Sequence, residues 1–288
     1  MDASIADYAE HLTEADMRLI SEVAPVPGGT AALLARDPAA IEGLLADPRV
    51  FEAVFGPAGA ADGLAVIVSP FLAFGVAVHR AVADLSDMDY LPERSGYRQR
   101  VPVFDTPELR DFLGSAERRL FLAELLASFT RVASGRYRVR SGGRSRTRRF
   151  SELDPVRLAG MLEEMPEESR PGLYRRLGDV TLFLVGVFPD YAAANALGPV
   201  DAGRLLRAAR VPFGDRDGLA AAPALDLLEY LGARWYRAAL AAAPVRTASL
   251  AVVGDVAGRF RQARRVLNHL GDRYLLGPDS PWFAAPAR

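Results

Sequence analysis

Thr181-Leu-Phe-Leu-Val-Gly-Val-Phe188 is apolar on every side of a helix, and Pro189 stops it. Upstream, Pro171 to Val180 adds a more polar start, so the pattern predicts one helix over 171–188 lying at the centre of a helical bundle. A second long pattern follows near the C-terminus. Val253, Val256, Phe260, Ala263, Leu267, Leu270 and Tyr274 alternate steps of three and four, which predicts a single helix over 249–275 with one apolar seam. On that count His269 lies off the seam. The seam is also a candidate face for a homodimer through 249–275.

Proline punctuates the rest. Asp37-Pro38, Asp47-Pro48, Ser69-Pro70, Thr106-Pro107 and Asp154-Pro155 each set a capping side chain before a residue suited to the first helical turn. Thr13 with Asp16, and Ser169 before Pro171, read the same way. Helices are predicted at 4–12, 14–22, 31–36, 38–46, 48–55, 70–86, 107–113, 116–133, 155–164, 202–210 and 223–242, besides the two above. One segment breaks the pattern. Arg136-Tyr-Arg-Val-Arg140 and Arg144-Ser-Arg-Thr-Arg-Arg-Phe150 alternate about Ser141-Gly142-Gly143, which predicts a β-hairpin over 136–150 and the only strand pair expected. The stretches 87–106 and 189–201 read as irregular, and a Pro-rich tail runs over 277–288. The expected fold class is all-α, a multi-helix bundle with one short Arg-rich β-hairpin insertion. A single domain over 1–288 accounts for the pattern, with a subdomain boundary near 90 as the alternative.

Composition narrows the chemistry. The 288 residues include no cysteine, which removes disulfides, thiolate catalysis and cysteine-ligated metal. All 35 basic residues are arginine, so Schiff-base chemistry and a P-loop lysine are absent as well. Three histidines (His11, His79 and His269) are too few for a histidine-rich metal site. Asp2, Asp7 and Glu10 give the start of the chain the wrong charge for a secretory signal, and the apolar run Leu64 to Val78 is too short to cross a bilayer. A soluble, cytoplasmic protein is expected. Net charge is −1, but unevenly spread. Residues 1–64 hold eleven acids and three arginines, a local net of −8, whereas residues 131–149 hold eight arginines and no acid.

Several constellations carry candidate chemistry. Arg136, Arg138, Arg140, Arg144 and Arg146, with Tyr137 and Phe150, are placed to contact an anion, a protein partner or nucleic acid. The bland alternative is a solvated hairpin paired with the acidic N-terminal part or with Glu163, Glu164, Glu167 and Glu168. An overall pI near 6.4 favours that pairing over nucleic acid. The order of helices and hairpin over 107–150 matches a winged helix, but Leu120, Phe121, Leu122, Leu125, Leu126 and Phe129 commit the would-be recognition helix to a core. His79 and His269 are weak metal or haem candidates, and a core histidine is the commoner outcome for either. Asp179 opens the most apolar helix, so a partner is expected from Arg175 or Arg176. Glu229 is read with Arg234, Trp235 and Tyr236 as packing and capping. Gly28-Gly29-Thr30 offers N–H groups to an anion at a helix start. No Gly-x-Gly-x-x-Gly, Gly-x-Ser-x-Gly or His-Glu-x-x-His occurs.

Arg176-Leu-Gly-Asp179 with Leu182-Phe183 and Gly186-Val-Phe-Pro189, Phe260-x-x-Ala-Arg-Arg-x-Leu-Asn268 with Asp272-Arg-Tyr-Leu275, and Phe121-Leu-Ala-Glu-Leu-Leu-Ala-Ser-Phe129 resemble a group of uncharacterised bacterial all-helical proteins with no assigned activity. The resemblance spans about half the chain and implies a helical fold without carrying over any site residue. If these stretches share a pocket, Arg176, Asp179, Asn268 and Asp272 are the polar groups that line it as a ligand site. The leading expectation is a helical binding or interaction protein that holds an anionic small molecule or a protein partner through the Arg hairpin or that pocket. The alternatives are a metal- or haem-dependent oxidoreductase using His79 or His269, and a nucleic-acid binder acting through the hairpin. No cofactor is called for by any complete motif.

Overall fold

The structure, a computed structural model, describes residues 8–25, 38–56, 68–96, 99–132, 134–141, 144–162, 164–194, 197–276 and 282–283. The expected helix at 31–36, the Gly28-Gly29-Thr30 turn and most of the Pro-rich tail lie outside these. Helices carry the fold, as the proline and periodicity signals require. In chain order they are α1 (Glu14–Val23), α2 (Pro38–Leu45), α3 (Pro48–Phe55), α4 (Pro70–Ser86), α5 (Thr106–Leu113), α6 (Ala116–Ser128), α7 (Pro155–Met161), α8 (Arg170–Val187), α9 (Pro189–Ala194), α10 (Pro199–Ala208), α11 (Phe213–Ala220), α12 (Ala224–Ala242), α13 (Ala248–Gly258) and α14 (Phe260–Leu270), followed by a π-helical turn at Gly271–Leu275. Strands β1 (Leu91–Gly96) and β2 (Gln99–Val103) form one two-stranded sheet, and β3 (Ser134–Ser141) and β4 (Arg144–Ser151) form another.

The residues gather into two compact units, each discontinuous in sequence: 1–93 with 102–130 and 269–288, and 94–101 with 131–268. In the first, α4 is buried along its whole length, from Phe71 and Leu72 to Ala81 and Leu85, and it packs chiefly on α6. Ser69 caps it by accepting from the Leu72 N–H at 3.1 Å, ahead of Pro70. Asp16 closes a capping box with Thr13 at the start of α1 and also accepts from the Ser69 N–H at 2.9 Å. That fully buried carboxylate thereby ties the starts of α1 and α4 together. Leu120, Phe121, Leu122, Leu125, Leu126 and Phe129 of α6 and its C-cap are all core.

In the second unit, α8 packs along α12. Three glycines set how closely the helices approach. A Cβ on Gly178 would stand 2.4 Å from the Tyr236 ring, one on Gly232 2.3 Å from Phe260, and one on Gly186 2.7 Å from Leu267. No side chain larger than hydrogen fits between those backbones and rings. Trp235 and Tyr236 are fully buried in the same layer.

The structure departs from the sequence expectations in four places. The helix expected over 249–275 is broken at Arg259 and ends in the π turn, so three pieces replace one. Its seam residues Val253, Val256, Phe260, Ala263, Leu267 and Leu270 are buried within the chain, which leaves no seam there for a second copy. The stretch 87–106 holds the β1–β2 pair, hidden because Pro92 and Pro102 interrupt any alternation. Helix α9 begins at the very proline read as a stop, and α10 starts three residues before expectation, at Pro199. Helix α11 escaped notice because it buries no residue and so shows no apolar stripe. Among the described residues, no helix is long and apolar enough to cross a membrane.

Candidate functional site

The Arg hairpin forms where the alternation and the glycine turn place it. β3 and β4 are antiparallel, with Arg136 opposite Arg149, Tyr137 opposite Arg148, Arg138 opposite Thr147, Val139 opposite Arg146, Arg140 opposite Ser145, and Ser141 opposite Arg144. No third strand joins this sheet among the described residues. Paired residues share a face and successive residues alternate. Arg136, Arg138, Arg140 and Arg149 therefore fall on one face of the ribbon, and Arg144, Arg146 and Arg148 on the other. Its lower end is uncharged, with Ser134 opposite Ser151 and Gly135 opposite Phe150. The acids just beyond are built into the framework. Glu152 pairs with Arg176 at 3.1 Å, and Asp154 caps α7 through the Val156 and Arg157 N–H groups, both at 3.1 Å.

A second cluster was not anticipated. Asp84, in the last turn of α4, is 4% exposed and has two hydrogen-bond partners and two arginines beside it. His269 Nε2 lies 3.1 Å from Asp84 Oδ2, and the Tyr274 hydroxyl donates to the same oxygen. Arg80 Nε stands 3.3 Å from Oδ1 and Arg273 Nε 3.5 Å from Oδ2. A carboxylate only accepts, so the neutral His269 ring carries its proton on Nε2. Burial holds the His269 pKa below the ordinary imidazole value, against the pull of Asp84. Burial and Asp84 together push the Tyr274 hydroxyl up to about 12. Phe51 and Phe55 cover Tyr274, with ring centroids 5.3 and 6.0 Å away. The π turn carries Tyr274 and Arg273 beside α4, and His269 is buried although it lies off the seam. These contacts make Asp84 the tie between α4 and the turn at Gly271–Leu275. The rule that singled out Asp179, a lone acid on an apolar helix, applies equally to Asp84.

His79, deeper in α4, is also buried, and Tyr8 Oη lies 3.5 Å from its Nε2. Burial, with the nearby Arg119 guanidinium, lowers its pKa to about 3. Arg119 pairs with Glu42, and His11 pairs with Glu124 at 3.0 Å. Among the described residues, no group of three or more His, Asp and Glu side chains is placed to hold a metal ion.

Of the four residues expected to line a pocket, Arg176, Asp179 and Asn268 lie in the second unit, each with partners of its own. Asp179 accepts from the Tyr236 hydroxyl at 2.9 Å and stands 4.0 Å from Arg175, while Arg176 turns to Glu152. Burial and Asp179 together raise the Tyr236 hydroxyl well above its usual range. Asn268 donates to the Gly186 carbonyl at 3.5 Å and accepts from the Arg94 N–H at 3.4 Å. Gly186 lies seven residues along α8 from Asp179, roughly 10 Å at 1.5 Å per residue. Asp272 belongs to the other unit. Glu229 pairs with Arg261 and Arg264, each at 2.8 Å, and not with Arg234. Arg234 instead donates to the Ala209 and Arg210 carbonyls and closes the end of α10. No protein-family model, curated protein or solved structure matches the chain.

Proposed function

We propose that this is a binding protein whose Arg ribbon holds an extended polyanion. One observation carries the reading: the register of β3 and β4 distributes arginine over both faces of an acid-free ribbon. An acidic patch elsewhere on the chain can lie against one face of a ribbon at a time. Arginine on both faces suits an anion that reaches the ribbon from two sides. The net charge of −1 does not oppose this, because charges more than about 10 Å away are largely screened at 0.1 M salt. Arginine also suits the role, since its planar fork meets two anionic oxygens at once.

The test is the affinity of the full chain for a fluorescent heparin oligosaccharide across a salt series, beside a variant with Arg136, Arg138, Arg140, Arg144 and Arg146 changed to Ser. Binding that weakens steeply with salt and disappears in the variant is expected. Equal binding by both proteins, or none by either, overturns the reading.

A further inference from the structure

We infer that the polyanion is duplex DNA and that the ribbon enters its major groove. This rests on the polyanion reading and adds the geometry of the anion. A flat anionic surface, such as a lipid headgroup layer or an acidic protein face, presents charge to one side of a ribbon. It selects for cations on one face and apolar or neutral residues on the other. The register here does the reverse, with Arg136, Arg138, Arg140 and Arg149 on one face and Arg144, Arg146 and Arg148 on the other. Such a ribbon is matched by a cleft with anions on both walls.

The B-form major groove is that cleft. It is about 12 Å wide, is bordered by a phosphate row on each side, and admits a two-stranded β-ribbon. A single strand offers one phosphate row, and the major groove of duplex RNA is too narrow for side chains to read. The dimensions agree. Eight residues at about 3.3 Å each make strands of roughly 26 Å, enough to lie in the groove across several base pairs. Charge is also graded along the ribbon. The pairs nearest the turn, Arg140 with Ser145 and Ser141 with Arg144, each carry an arginine, whereas the two pairs at the opposite end carry none. That uncharged end is where the chain returns to the framework, through Glu152 bonded to Arg176 and Asp154 capping α7.

The experiment measures fluorescence anisotropy of the full chain with one labelled sequence as duplex DNA, as single-stranded DNA and as duplex RNA, with labelled heparin in parallel. Duplex DNA should bind about tenfold or more tightly than the single strand or the RNA duplex, with log affinity falling against log salt at a slope near about −5. Two variants separate the faces: Arg136, Arg138 and Arg140 to Ser, and Arg144, Arg146 and Arg148 to Ser. Each should flatten the slope by about 3, with far-ultraviolet circular dichroism unchanged. Equal affinity for the three nucleic acids overturns the groove inference, and so does a loss confined to one face. In either case retained heparin binding leaves the polyanion reading standing, while absent heparin binding removes both. The comparison of nucleic acids uses the unaltered protein, so it decides the matter even if a variant fails to fold.

Discussion

His269 Nε2 lies 3.1 Å from Asp84 Oδ2, although 185 residues separate them in the chain. The contact holds the π turn against α4 with a neutral imidazole, and acid works against it. Burial lowers the pKa of His269 and takes that of His79 to about 3. In the unfolded chain both return to about 6.5. Below that value the unfolded state binds more protons, so the stability held above pH 6.5 is lost as pH falls. For His79 the slope is about 1.4 kcal/mol per pH unit down to about pH 3. His269, lowered by burial, adds a loss of the same sign below 6.5. Urea midpoints at pH 7.5, 6 and 5 should fall accordingly, and more shallowly in His79→Gln. A flat profile counts against both neutral rings.

Asp84→Asn should be among the most damaging single changes. It leaves the His269 N–H, the Tyr274 hydroxyl, Arg80 and Arg273 facing a neutral amide. Weakening two buried hydrogen bonds to a carboxylate, with both arginines partly screened by solvent, should cost about 2–4 kcal/mol. Thermal unfolding measures it, and a change under 1 kcal/mol contradicts the structure.

Gly232→Ala should destabilise by about 1–3 kcal/mol, because the new methyl would lie 2.3 Å from the Phe260 ring. Shortening that ring should help. In a double-mutant cycle, Phe260→Leu combined with Gly232→Ala is expected to cost less than the two single losses added together. Strict additivity would place the ring elsewhere.

Tyr236→Phe removes a 2.9 Å hydrogen bond to Asp179. A loss of about 1–3 kcal/mol is expected in urea unfolding. Asp179→Asn should lose less, since the amide still accepts from the hydroxyl. The reverse order would mean that the charge, and not the hydrogen bond, holds the two helices together.

Helix starts were legible because their signal is local. Asp47, Ser69 and Asp154 each accept from an N–H within three residues, just before the proline. Thr106 and Ser169 fit the same rule on paper but make no such bond. The hairpin was legible too, from its alternation and glycines. Long-range pairings were not. Asp84 meets Tyr274 where a π turn at 271–275 ends what reads as an unbroken heptad, and the periodicity gives no sign of that turn. Periodicity reports which residues share a stripe. It does not report where the helix restarts. Within the ribbon, the sequence contains every arginine but not the pairing, and only the register divides them between two faces.

The order in which the units close follows from how the chain is divided. Residues 1–93 and 102–130 leave the ribosome early, yet Asp84 meets His269 and Tyr274 only once the last segment has been synthesised. Throughout translation of 131–268 the first unit therefore waits with that carboxylate uncovered. A stop codon placed just before His269 should yield a chain that is unstable in its oldest part rather than its newest.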